Sequence, residues 1–159
     1  MTEANAEIFR ENPAMMFVTA LSGILDIRTG LVQFCNAGHD APILLAPGQP
    51  VTTIQNTGGP PLCVLDDFEY PVDSYQLEPG DTLVLFTDGV TEALNPEKEL
   101  YTSGRLEALL AEQPQNLETA SITEVIYQDV KKFANGAEAS DDVTLLVLRF
   151  LGPSEAQSA

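Results

Sequence analysis

Turn signals recur at short intervals through the first half of this chain, and they limit its fold more than any other feature. "RTG" (28–30), "AGHDAP" (37–42), "PGQP" (47–50), "NTGGPP" (56–61) and "EPGD" (78–81) separate runs of β-branched, aromatic and aliphatic residues. Two strands joined by a tight reversal run in opposite directions, whereas parallel neighbours need a crossover of about a dozen residues or more. The spacing therefore predicts an antiparallel sheet. Residues 15–36 read as a long hairpin closed at "RTG", with Gly23 marking a bulge in its first arm. "ILLA" and "VTTI" read as short strands, and "TLVLFT" (82–87) as a strong one. "FEYPVDSYQL" contains Pro71, which confines it to an edge strand or a bulge because proline donates nothing to a ladder.

Helical periodicity enters late. Leu106, Leu109 and Leu110 share a face, and Ile122, Val125, Ile126, Val130 and Phe133 follow 3–4 spacing up to a stop at Gly136. At the other end, "ANAEIFREN" reads as the last turns of a helix closed by Pro13. The unbroken run "VTLLVLRF" (143–150) predicts a strand covered on both faces. "GPSEAQSA" (152–159) is expected to be disordered, which leaves 1–151 as one domain. The class expected is α+β, a mainly antiparallel layered sandwich with amphipathic helices packed on it.

Composition removes some functions. Asp and Glu outnumber Lys and Arg 24 to 7, a formal charge of −17, and a field of that sign repels phosphate backbones and anionic lipid. Nucleic-acid and membrane-surface roles are not expected. Cys35 and Cys63 fit no CxxC pattern and sit in apolar stretches, so both read as reduced thiols. With no apolar run near the roughly 18 residues of a membrane span, and no signal-peptide pattern at the start, the expected location is the cytoplasm.

The chemistry-bearing residues stand at strand ends. Asp88 follows "TLVLFT", and Asp141 with Asp142 precedes "VTLLVLRF". If those strands are antiparallel neighbours, the carboxylates converge on one sheet edge, and clustered carboxylates suit a hard cation held by oxygen. Spacing alone favours the plainer alternative, a turn Asp-Gly and a solvated cap. His39, the one histidine, reads first as a turn residue bonded to nearby backbone and second as a general base. Glu92 is placed either to orient a metal-bound water or to pair with Arg105. The "TGGPP" glycines suit a structural loop or close approach to a ligand. No lysine stands in P-loop spacing, and there is neither a nucleophile elbow nor HExxH.

Taken in order, "MFVTAL", "NAGHDAPILL", "GGPPL", "LEPGDTLVLFTDGVTEALN", "GRLEALL" and "SDDVTLLVLR" resemble the C-terminal part of the SpoIIE-like family, PPM-type serine/threonine phosphatases related to protein phosphatase 2C. The resemblance runs from Phe17 to Phe150. It implies two mainly antiparallel β-sheets flanked by helices, and a two-metal site for Mn²⁺ or Mg²⁺ that hydrolyses phosphoserine and phosphothreonine with activated water. Asp88 matches the metal-binding aspartate of the family's DG motif. Asp141 matches the first aspartate of its DD or DN motif, and Asp142 the second, variable position.

The family's GD…D strand, its D-x-x-GHG motif and two switch helices have no counterpart here. The expectation is a fold without its N-terminal part, weakly active or inactive alone, whose open sheet edges promote homo-oligomers. Cys63 stands where many members have glycine after "PL", and "YTSGRL" (101–106) replaces F-G-x-x-R-L. The implied partner is a phosphorylated regulatory protein, in the family often a STAS-type anti-sigma-factor antagonist. One alternative is a non-catalytic module that binds a phosphoprotein or a complementary fragment. Another is a simple metal-binding β-sandwich without phosphatase lineage, which requires that the strands flanking Asp88 and Asp142 not be neighbours.

Overall fold

A computed structural model describes residues 1–138 and 141–153. Its elements begin with α1 (Thr2–Arg10), β1 (Ala20–Leu25), β2 (Leu31–Ala37), β3 (Ile43–Leu45), β4 (Thr52–Thr53) and β5 (Asp73–Gln76). They continue with β6 (Thr82–Phe86), α2 (Asp88–Thr91), α3 (Ser103–Ala111), α4 (Thr119–Ala134) and β7 (Leu145–Arg149). Two mainly antiparallel sheets with helices result, the α+β class expected. The chain divides into two units, one of residues 1–41, 55–77 and 152–153, the other of 42–54 and 78–151. Of the tail expected to be disordered, 154–159 lie outside the described residues.

The first unit holds a three-stranded sheet in the order β1-β2-β5. The expected hairpin joins β1 to β2, paired from Ala20↔Ala37 to Leu25↔Val32. Its turn is closed by the Gly30 N–H donating to the Asp26 carbonyl at 2.8 Å, with Gly30 at φ 78, a conformation that glycine adopts without Cβ strain. The Arg28 backbone N–H donates to the Asp26 carboxylate and holds its pKa below the ordinary value. No bulge interrupts β1: Gly23 pairs in register with Phe34, and a Cβ there would meet its neighbours at ordinary contact distance, 3.5 Å. A sequence glycine in a strand marks permission for a bulge, and here the ladder did not use it.

Pro71 lies just before β5, which is an edge strand paired to β2. Cys35, Ala37, Leu62 and Tyr70 form this unit's core. Asn5 of α1 is buried within the unit, its amide donating to the carbonyls of Leu65 (2.7 Å) and Asp66 (3.0 Å) and its Oδ1 accepting from the Cys63 N–H (2.8 Å). A buried amide so fully satisfied ties α1 to the loop without a desolvation penalty left over. Both cysteines are free thiols, and burial pushes that of Cys35 up.

The second unit holds a four-stranded sheet, β4-β3-β6-β7. Ile43, Val84, Phe86, Leu145 and Val147, alternate residues of three strands, pack with Leu106 and Leu110 of α3 and with Ile122, Ile126 and Val130 of α4. The helical faces read from the leucine and isoleucine spacing are therefore the faces that are buried. α4 stops at Ala134 because Asn135 takes a left-handed cap (φ 44, ψ 39), with Gly136 also left-handed behind it. The strand expected to be covered on both faces is not: β7 is an edge, and Leu146 is 57% exposed while Leu145 and Val147 face the core. Continuous hydrophobicity signals two-sided burial for central strands, and β7 is not one.

The departures from family glycines acquire a physical meaning. Cys63 has φ 69 and Thr102, at the N-cap of α3, has φ 70 and ψ 152, backbone conformations suited to glycine and strained for a β-branched residue. The Thr102 side chain makes no capping bond, while its backbone N–H reaches the Thr91 carbonyl at 2.8 Å. Thr102→Gly keeps the backbone bond and releases roughly 1–3 kcal/mol of strain, against about 0.5–1 kcal/mol of added chain entropy in the unfolded state. The expected result is a net stabilisation of about 1 kcal/mol, read as a raised urea midpoint at constant m.

Candidate metal centre

β6 and β7 are antiparallel neighbours, in register from Thr82↔Arg149 to Phe86↔Leu145. The last residue of one strand thus faces the first of the other, and the chain leaving β6 meets the chain entering β7. Thr87 fastens the two. Its N–H donates to the Thr144 carbonyl (3.1 Å), its hydroxyl donates to the Asp142 carbonyl (2.8 Å) and accepts from the Thr144 N–H (2.9 Å). A single hydroxyl that both donates and accepts locks both partners in place.

Asp88 follows as the first residue of α2, a single turn in which the Val90 N–H bonds the Thr87 carbonyl and the Glu92 N–H bonds that of Asp88 (2.7 Å). Gly89 then sits under the other strand's entry. A Cβ at this position would lie 2.5 Å from the Asp142 carbonyl oxygen and 3.2 Å from the Asp141 carbonyl carbon, so a bare Cα is what lets the two backbones touch. Asp88, Asp141 and Asp142 are all exposed. The Asp142 N–H donates to Asp141 Oδ1 at 2.7 Å, fixing the orientation of that carboxylate.

The two segments predicted to converge do so, and their donors are hard oxygens of the kind that hold Mg²⁺ or Mn²⁺. Asp88 and Asp141 are both solvent-exposed and so accessible to such an ion. Among the described residues, no group of three or more His, Cys, Asp or Glu side chains is placed to hold a metal.

His39 belongs to the first unit and is held in a turn, its N–H on Asn36 Oδ1 (2.8 Å), its carbonyl on the Asn36 amide and its Nδ1 3.0 Å from the Asp40 carbonyl oxygen. The turn reading of His39 holds. Glu92 is the C-cap of α2, and the guanidinium of Arg105 is engaged by Asp129 (3.2 Å). The "TGGPP" loop is structural at Gly59, where a Cβ would come within 2.4 Å of the Phe68 ring and 2.9 Å of Tyr70.

Sequence reasoning missed Thr87 and Gly89. Both flank the aspartate that drew attention, and the matching threonines of "FTDG" and "DDVT" were the available signal for a cross-strand clamp.

Comparison with known proteins places this fold. The family model described as Stage II sporulation protein E (SpoIIE) matches residues 1–151. Protein IcfG of Synechocystis sp. is 31% identical over 134 residues, covering 84% of this chain and 20% of IcfG. Phosphoserine phosphatase RsbU of Bacillus subtilis is 27% identical over 136 residues, covering 86% of this chain and 40% of RsbU. The chain thus spans a fifth to two fifths of these relatives. Among solved structures, the Mn-presoaked phosphatase domain of SpoIIE from Bacillus subtilis superposes with a TM-score of 0.64 at 20% identity, over 83% of this chain and 56% of that one.

Proposed function

Because this chain belongs to the SpoIIE family, we propose that it forms part of a metal-dependent phosphoserine/phosphothreonine protein phosphatase in which Asp88 and Asp141 hold Mn²⁺ or Mg²⁺. The observation that carries this reading is the contact of Gly89 with the Asp141–Asp142 backbone, which brings two carboxylate-bearing segments to one sheet edge. A simple metal-binding sandwich of other lineage required β6 and β7 to be separated, and they are paired. When bound, such an ion supplies charge neutralisation for a phosphoryl group and acidifies water. The chain's own part is to hold both carboxylates ready: Thr87 ties the strand ends, and the Asp142 N–H orients Asp141. The substrate class is a phosphorylated regulatory protein, of the STAS-type anti-sigma-factor antagonist kind, in keeping with a relative named as a phosphoserine phosphatase.

A second reading, a module that complements another polypeptide, draws on a separate observation. Met15, Met16, Phe17 and Val18 are exposed, Met15 by 87%, and lead into β1, an open sheet edge. Such an edge takes either a complementary strand or a second copy of the chain. The first reading implies weak activity alone, since two aspartates fill only part of a two-metal ligand set, and the second, non-catalytic reading implies none.

Calorimetric Mn²⁺ titration of the chain and of Asp88→Ala, each alone and mixed with the unmatched part of the SpoIIE phosphatase domain, tests the proposal. Weak binding by the chain, at least about tenfold tighter in the mixture and about 100-fold weaker in the variant, is expected. Indistinguishable traces from the two proteins would remove the metal site. Vigorous Mn²⁺-dependent hydrolysis of a phosphoserine protein by the unmixed chain would overturn the partial-site reading.

A further inference from the structure

The second unit has a cavity of about 110 Å³ at the opposite end of its sheet from Asp88. Leu45, Thr82 and Arg149 lie side by side in register there, whereas Asp88 follows the far end of β6. The walls are mixed: Leu45, Pro47, Val51, Leu110 and Ile122 supply apolar surface, and Gln49, Gln113, Gln115 and Arg149 supply polar groups.

Arg149 is the unusual member. Its Nε donates to Thr82 Oγ1 (2.8 Å) and its Nη2 to the Leu117 carbonyl (2.7 Å), both neutral acceptors. The ion pairs among the described residues are Arg28–Asp26 and Arg105–Asp129, so Arg149 has no carboxylate beside it there although acids outnumber bases 24 to 7. A guanidinium has five N–H donors, and its fork matches a carboxylate in a bidentate pair. Two positions are fixed by Thr82 and Leu117, which orients the group and leaves donors over. The net charge of −17 opposes any anion at long range. Beyond about 8 Å that repulsion is screened at physiological salt, so the adjacent cation dominates.

Size narrows the ligand. An apolar protein cavity of about 150 Å³ accommodates benzene, so the smaller, partly open space here encloses about four carbons of an aliphatic chain and leaves the remainder of a six-carbon one at its mouth. We propose that this cavity binds a free short-chain aliphatic carboxylate, its anionic head on Arg149 and its hydrocarbon chain against Val51, Leu110 and Ile122. The site is separate from the carboxylate pair and does not rest on the phosphatase reading.

The test is an NMR titration of the metal-free chain with hexanoate, hexanol and an acetylated peptide ending in leucine. Hexanoate is expected to shift the Val51, Leu110 and Ile122 resonances saturably, with Kd on the order of 1 mM for a ligand of this size. Hexanol is expected to bind at least about tenfold more weakly, the loss of one charge-assisted pair. Arg149→Gln should erase that preference. Because that change also removes bonds to Thr82 and Leu117, Ala111→Phe, at the exposed end of α3 lining the cavity, provides the second variant. It should abolish hexanoate binding with an unchanged circular dichroism spectrum. Equal affinity for hexanol and hexanoate, absence of saturable shifts at the three residues, or undiminished binding by Ala111→Phe would overturn the proposal. Tighter binding of the peptide than of hexanoate would overturn the assignment to a small molecule.

Discussion

Replacing Tyr101 by alanine is expected to cost about 3–5 kcal/mol of folding stability, the range for emptying a large buried aromatic site. The ring is 1% exposed and meets Phe133 edge-on, centroids 5.4 Å apart, with the Arg105 guanidinium 5.1 Å from one ring centre and 4.7 Å from the other. Its hydroxyl donates to Asp129 Oδ2 at 2.7 Å, joining the loop before α3 to α4. Tyr101→Phe separates the contributions: it removes the bond to a charged acceptor and keeps the ring, for a loss of about 1.5–3 kcal/mol. Urea denaturation at neutral pH measures both, and a loss under 1 kcal/mol for the alanine variant would contradict the packing described.

The same cluster gives stability a pH dependence of defined sign. Burial pushes the Asp129 carboxyl up, but the Tyr101 hydroxyl and the Arg105 guanidinium together outweigh it, and the net direction is down. A depressed carboxylate contributes stability above its unfolded value, near 3.9, and loses it as pH falls through the folded one. Burial first, then Asp129, pushes the Tyr101 phenol up. That contribution is complete below about pH 10 and disappears as pH rises through the raised value. Tyr101→Ala should therefore flatten both limbs of the stability profile as well as lowering its plateau.

Gly89→Ala is the second large effect, expected at about 2–3 kcal/mol. The added methyl group would stand 2.5 Å from the Asp142 oxygen and 2.8 Å from its carbonyl carbon, so backbone must move. The glycine is not needed for an unusual dihedral, and its role is the space it leaves. Displacing residues 141–142 also breaks the Thr87–Asp142 bond, and on the proposed metal reading Mn²⁺ affinity should fall together with stability. Stability lost with Mn²⁺ affinity unchanged would show that the two segments are not coupled in this way.

Much of the fold was legible because it repeats simple periods. The β1–β2 hairpin announced itself by a turn between two β-branched runs, and α3 and α4 by leucine and isoleucine spacing that matches their buried faces. The meeting of the segments after β6 and before β7 was legible too, given two strong strands that could pair antiparallel. α2 was not, since four residues are too few to display a helical period. Nor was the exposed Leu146 face of β7, because hydrophobicity reports the kind of side chain and not its neighbours in the sheet. Gly89 escaped notice for another reason: in an Asp-Gly pair, glycine is ordinarily credited with the turn, and only coordinates reveal a close approach of backbones. Strain at Cys63 and Thr102 was foreshadowed by family glycines in their places, but the φ values explain why glycine suits them.

The pairing of β6 with β7 has a further consequence for how the centre comes into being. Asp88 and Asp141 are 53 positions apart in the chain (141 − 88), with α3 and α4 between them. Closing such a span costs only about 1.5 kcal/mol more than closing ten residues, so distance along the chain is a small obstacle. What the geometry requires is the strand pairing itself: until the ends of β6 and β7 have met, neither aspartate's segment has the other beside it. The proposed centre thus depends on that long-range pairing, and a nascent chain that stops short of residue 141 carries only Asp88 of the two aspartates.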